Sequence, residues 1–419
     1  PDQRAQKLNL ILASGIEYDI IRLSSINLAK ELIPKNFFYE LDDLLEEHGQ
    51  NILQNTAQKW FDPVVWNNKV YAIPIKRTAA ASIVGSMYRK DIFDKYNLDL
   101  PETPEEFKAV LRIIKEKEGG IPYTGTSAFP IIDTISSAFG ICLNVWYDVD
   151  GKLVNRVKMP GFIEYVRFVK ELIDEGLMDP EFAANTDQMT QTKFASGKAS
   201  ASFWAWWWWS SNNAIRQNSG AELDFMPPLQ SEDGSSIAWL WGNSPEWATV
   251  IPRSSKHPAE AIQFLDALSK NENFEEIFMG TEGEHYTIND GKYSATPKYT
   301  EEKSNSWIML MTSNDSYQVR YQQIGQSGED PNQDVLFTYQ GMKDAAENSA
   351  VADPTGNLAP PQANATYGNP LATFERDFIL AVVSGAKEIS DYDAFLEQWE
   401  KDGGAILTEE WNKIYASSK

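Results

Sequence analysis

The chain has 419 residues, 42% of them hydrophobic, enough for two or three ordinary domains with sizeable cores. Its formal charge of −23 argues against nucleic acid and anionic lipid surfaces as general partners. Cys142 is the single cysteine, so an intrachain disulfide is excluded. His48, His257 and His285 stand apart, without zinc spacing.

In chain order, residues 1–13 predict a helix with Ala5, Leu8, Ile11 and Leu12 on one face, stopped by Gly15. Residues 18–24 predict a short buried strand, and 38–49 a helix ending at Gly49. Residues 67–75 predict a turn and strand marked by Pro74, and 81–93 a strand entering a helical turn. The clearest start is LPETPEEF: Thr103 caps a helix with Pro104 at N1 and Glu106 at N3, a capping box. Residues 161–182 repeat the pattern through Tyr165, Phe168, Val169, Leu172 and Ile173, with Gly176 as the stop. Residues 189–209 predict helix, turn at Gly197-Lys198, then strand. Helices follow at 257–269, 271–280, 371–385 and 391–401, with long loops at 325–334 and 350–370. Alternating helices and strands favour an α/β class. No segment approaches the ~20 apolar residues of a membrane span. PDQRAQKLNL lacks a signal-peptide pattern, so the protein is expected to be cytoplasmic or to have lost a leader.

FWAWWWWS places five tryptophans, Trp204 and Trp206 to Trp209, within six positions. Tryptophan pairs a flat apolar face with a polar tip, which suits the similarly two-natured face of a sugar. In a strand, alternate residues face opposite sides, so all five cannot enter one cleft. Core packing is the competing account. WLWGNSPEW supplies a second aromatic group, with Trp239, Trp241 and Trp247. Cys142, in SSAFGICLNVW, reads as an inert core thiol.

The order of several pieces resembles the extracellular solute-binding proteins of ABC importers, family 1. They are QKLNLILASGIEYDIIRLS, KVYAIPI, MYRKDIFDKYNLDLPETPEEFKAVLRIIKEK, KFASGKASASFWAW, PRSSKHPAEAIQFLDALS and GTEGEHYTINDGKY. The last is similar to the Gram-positive lipoprotein branch that serves oligosaccharide uptake, related to maltodextrin and alginate binders. The resemblance implies a periplasmic-binding-protein-like type II α/β fold: two lobes, a hinge and a ligand cleft between them. It implies an N-terminal lobe from 1–89 and 249–312 and a C-terminal lobe from 90–248 and 313–419, with crossings near 89–92, 247–250 and 310–316. That family begins with a leader, a lipid-bearing cysteine and a first strand ahead of PDQRAQKL, so the chain is expected to be part of a longer precursor. A calcium loop found in many branch members is not expected, because EKEGGIPYTG lacks a run of carboxylates.

Carried over by position, the resemblance implies ligand contacts from Trp204 and Trp206, then Trp207, Trp208 and Trp209, with Trp241 and Asn243 beside the second crossing. Lys76 and Arg77 would lie at the cleft rim, and Ser24 and Ser25 at a strand end. Phe129 and Asp133, Glu282 and His285, and Arg320 complete the candidates; core, loop or solvated surface roles compete at each. The implied function is capture of an oligosaccharide without chemistry and delivery to ABC permease subunits, by an extracellular, lipid-anchored monomer with no cofactor and no nucleic-acid partner. The net charge favours neutral glycans over uronates. Two alternatives stand: a glycan-active enzyme, with Glu246 beside Trp247 as one of two required carboxylates, and a carbohydrate-binding surface protein without a transport role.

Overall fold

The computed structural model describes residues 2–75, 84–205, 208, 214–215, 220–240, 244–289, 292–303, 311, 324, 341–342 and 344–419. The helices used below are α1 (Asp2–Ser14), α2 (Ile26–Leu32), α3 (Asp42–His48), α4 (Pro104–Glu118), α5 (Pro160–Asp174), α6 (Asp187–Ala195), α7 (Pro258–Ser269), α8 (Gln362–Val383), α9 (Tyr392–Trp399) and α10 (Ala405–Ser417). The strands are β1 (Ile21–Leu23), β2 (Ile73–Ile75), β3 (Val84–Arg89), β4 (Ile121–Thr124), β5 (Trp146–Val149), β6 (Lys152–Asn155), β7 (Ala199–Ala205), β8 (Leu223–Met226) and β9 (Trp247–Val250).

Two cores divide the chain into lobes. In the smaller, β9 lies between β1 and β2, antiparallel to both, with Ile21 opposite Val250 and Trp247 opposite Ile75. Leu23, Ala29, Leu32, Phe38, Ile73, Ile75, Val250, Ile262 and Leu265 bury together between this sheet and α2, α3 and α7. In the larger, the strand order is β8-β3-β7-β4, antiparallel except for the β7/β4 pair. Every residue of β7 is buried. A strand covered on both faces reads as a continuous small and apolar run, which is why ASASFWA shows no polar alternation. A third cluster of Phe274, Phe278, Met279, Tyr286 and Tyr299 gathers around the hairpin Tyr286–Asn289 and Lys292–Ala295, with Trp247 packed against it.

The capping box is complete: Thr103 Oγ1 accepts the Glu106 N–H at 3.3 Å, and the Glu106 carboxylate accepts the Thr103 N–H. Thr103→Ala is expected to lower stability by about 1 kcal/mol, seen as a small shift of the urea midpoint. Gly176, at φ +65°, ends α5 by the left-handed turn the sequence predicts.

Three expectations change. Val84–Arg89 pairs with β7 and β8, so β3 belongs to the larger lobe, and the first crossing falls between Ile75 and Val84 rather than at 89–92. Trp247–Val250 lies inside the smaller lobe's sheet, so the second crossing precedes it. Against the boundaries expected at 89 and 248, β3 therefore joins the larger sheet and β9 the smaller. Residues 362–370, expected to be loop, form the first turns of α8 with Pro370 inside the helix. Proline removes the N–H that would bond the Thr366 carbonyl, and both residues are exposed, so that turn of the helix borders solvent. Met311 sits in the smaller core and Met342 in the larger, consistent with a third crossing between them.

Candidate functional site

The strand ends of the smaller lobe converge where the chain passes to the larger. The Ile26 N–H donates to the Glu246 carbonyl, and the Glu246 N–H to the Ile75 carbonyl, both at 2.9 Å. The Arg22 guanidinium lies 4.1 Å from the Trp247 ring centroid, a cation–π contact that stiffens the same corner. Ser25 follows in extended geometry, and its Oγ accepts the Leu28 N–H at 3.1 Å to cap α2. That cap starts α2 in the direction that carries it against α8 of the other lobe.

Between α2 and α8 lies a cavity of about 140 Å³. The smaller lobe contributes Asn27, Lys30 and Glu31. The larger contributes Asp353 and Thr355, Asn364, Asn369 and Glu375 of α8, and the rings of Trp146, Trp399 and Trp411. Asn369 Nδ2 donates to Glu31 Oε2, bridging the lobes. A wider trough of about 550 Å³ passes the N-terminus of α8, with partly exposed Trp66 on one side and Tyr367 on the other.

The carboxylates of the cavity wall are already engaged. Glu31 pairs with Lys35 at 2.8 Å. Glu375 pairs with buried Arg156 at 2.8 Å, and Arg156 also donates to the carbonyls of Cys142, Leu143 and Asn144. Asp353 Oδ1 accepts the N–H and hydroxyl of Thr355 at 2.8 and 2.7 Å. Lys30 differs. It is 5% exposed, it makes no hydrogen bond or ion pair, and its Nζ lies 5.8 Å from the Trp411 ring centroid. Burial pulls its pKa down to about 8, with the charge of Asp353 partly opposing the shift. Trp411 packs against Trp146 at 6.3 Å, and its Nε1–H is buried with no acceptor.

The residues singled out from sequence fall elsewhere. Trp204 has no exposed surface: its ring meets Phe194 and Trp208 edge-on, each at 5.4 Å. Trp208 is also enclosed, edge-on to Phe203. The expected ligand stacking is therefore corrected for both, because β7 is covered on both faces and its aromatic side chains fill the larger core. Phe129 spends one face on Phe203, stacked at 5.0 Å and 21°. Asp133 is buried, and its two oxygens accept the N–H groups of Leu143 and Trp239, so it ties loops together rather than facing a cleft. His285 is buried with both ring nitrogens engaged, Nδ1 by the Thr281 N–H and Nε2 by Glu302, which makes it a loop anchor. Glu282 is exposed on the turn before it, and Ser24 is exposed beside the α2 cap. Lys76, Arg77, Trp206, Trp207, Trp209, Trp241, Asn243 and Arg320 lie outside the described residues. Cys142 is buried, and burial pushes its thiol up to about 12, as suits an inert core residue.

Sequence reasoning missed the cavity wall itself: Lys30 in INLAKELI, Asn369 in YGNPL and Trp411 in EEWNKIY. Each reads as an ordinary helical residue; only the approach of α2, α8 and α10 brings them together. Among the described residues no cluster of three metal-ligating side chains occurs, and no helix is long and apolar enough to cross a membrane.

The α/β architecture thus has two lobes and a pocket at their junction. The family model described as bacterial extracellular solute-binding protein matches residues 2–273. The chain belongs to that family. Relatives in it span nearly the whole chain. Lipoprotein LipO of Bacillus subtilis (strain 168) is 24% identical over 444 residues, covering 99% of this chain and 84% of its own. The polygalacturonan/rhamnogalacturonan-binding protein YtcQ of the same organism is 21% identical over 435 residues, with 99% and 84% covered. The crystal structure of the alginate-binding protein AlgQ2 without calcium ion has a TM-score of 0.72 at 18% identity, covering 98% of this chain and 88% of that one, a likeness of fold.

Proposed function

We propose that this solute-binding protein captures an oligosaccharide between its lobes and hands it to the membrane permease of an ABC importer. The observation that carries this reading is the cavity between α2 and α8, where amide, ammonium and carboxylate groups of both lobes meet beside three buried indole rings. Such polar groups take the hydroxyls of a sugar. The printed names of YtcQ and AlgQ2, both polysaccharide binders, support the same ligand class. Closure of the lobes would exclude water from the bound sugar. The protein works as a monomer outside the cell, held to the membrane by a lipid, in keeping with LipO being a lipoprotein.

In this reading no bond is broken. Glycoside hydrolysis needs two carboxyl groups about 5–9.5 Å apart, one of them able to give up a proton to the leaving oxygen. At the cavity wall Glu375 is held by Arg156 and Glu31 by Lys35, which suits positioning better than proton transfer. Intrinsic tryptophan fluorescence of the full chain, titrated with a panel of oligosaccharides, tests the reading when the ligand is recovered and analysed. Saturable quenching or shift with intact sugar is expected. Release of reducing ends, or a response to peptides alone, would replace it.

A further inference from the structure

We propose that the cavity between α2 and α8 is a subsite for an acidic sugar residue, whose carboxylate bonds to Lys30 Nζ. The proposal rests on the saccharide reading above and runs against the preference for neutral glycans drawn from the net charge.

The Lys30 ammonium lines this cavity with three donors, no acceptor capacity and no partner. Lys30 is 5% exposed and makes no hydrogen bond or ion pair. A buried ammonium left with no counter-charge in bonding distance is among the costlier things a fold can keep. Proteins retain such groups where something binds them. Every other charged group facing Lys30 is committed: Glu31 on its own helix to Lys35 and Asn369, Glu375 of α8 to Arg156, and Asp353, ahead of α8, to Thr355. Asp353 lies beyond ion-pair distance, and its field only partly offsets the burial of Lys30.

An occupant must therefore bring acceptors, and a negative charge best. Charge-assisted hydrogen bonds are about twice as strong as those between neutral groups, so a carboxylate gains more here than a hydroxyl does. The −23 of the whole chain does not decide the matter, because charges farther off than a Debye length of about 8 Å are largely screened.

The test is calorimetric titration of the full chain with a galacturonate oligosaccharide and with its fully methyl-esterified form, which loses the charge and gains one methyl group per residue; the same pair titrated into Lys30→Met separates the charge from the added bulk. The acid form is expected to bind roughly tenfold tighter or more. Lys30→Met should erase that preference. Lys30 is charged below about pH 8 in the free protein, so affinity for the acid form is full at lower pH and falls as pH rises through that value. Affinity for the ester should stay level. Equal affinity for the two forms, or a preference that survives Lys30→Met, overturns the proposal. Binding of neutral oligosaccharides alone overturns it while leaving the saccharide reading in place, whereas no binding of any saccharide removes that reading itself.

Discussion

Glu375→Ala is expected to cost about 3–5 kcal/mol of stability, because it strands a buried guanidinium. Arg156 and Glu375 are both nearly inaccessible and 2.8 Å apart, and the same guanidinium holds the carbonyls of Cys142, Leu143 and Asn144. The pair fastens the middle of α8 to the loop ahead of β5. Urea denaturation followed by circular dichroism would show the midpoint drop. The double replacement Arg156→Met with Glu375→Leu should recover much of the loss, since two apolar groups leave no unpaired charge. If Glu375→Ala alone left the midpoint unchanged, the buried pair would not be anchoring α8. Saccharide affinity should fall with the single variant too, because α8 forms one wall of the cavity.

Trp204→Ala is expected to lower stability by about 3–5 kcal/mol and to leave saccharide affinity of the folded protein unchanged. The ring has no exposed surface and fills the space between Phe194 and Trp208, so its removal opens a large void in the core. Thermal unfolding and titration on the same preparation separate the two effects. Lost binding with an unchanged midpoint would return Trp204 to the ligand.

Local signals were legible in the sequence. The capping box at Thr103, the left-handed stop at Gly176 and the strand after the Gly197-Lys198 turn each depend on residues within one or two turns of each other, and all three form as expected. What the sequence withheld is partnership. ASIVGSMYR announces a strand, but nothing in it says that β3 pairs with β7 and β8 rather than with the preceding lobe. The tryptophan run announces aromatic surface without saying which side is covered, and Trp204 and Trp208 went to the core. The Gly, Pro, Asn, Gln and Asp content argued for a loop at 350–370, yet α8 begins at Gln362 and carries Pro370 within it. Lys30 is the sharpest case. In INLAKELI it looks like any solvated helical lysine, and only the packing of α8 and α10 onto α2 leaves it buried and unpaired. The two-lobed family fold was legible from the order of motifs, whereas the wall of the cavity was not.

Ala372 offers the most direct test that solute enters between the lobes. It lies on the exposed side of α8 and lines the cavity, so Ala372→Trp should fill that space without disturbing the core. Titrating the tightest-binding saccharide into this variant should show affinity lost by roughly a hundredfold with the thermal midpoint unmoved, whereas undiminished binding would mean that the solute is held somewhere else.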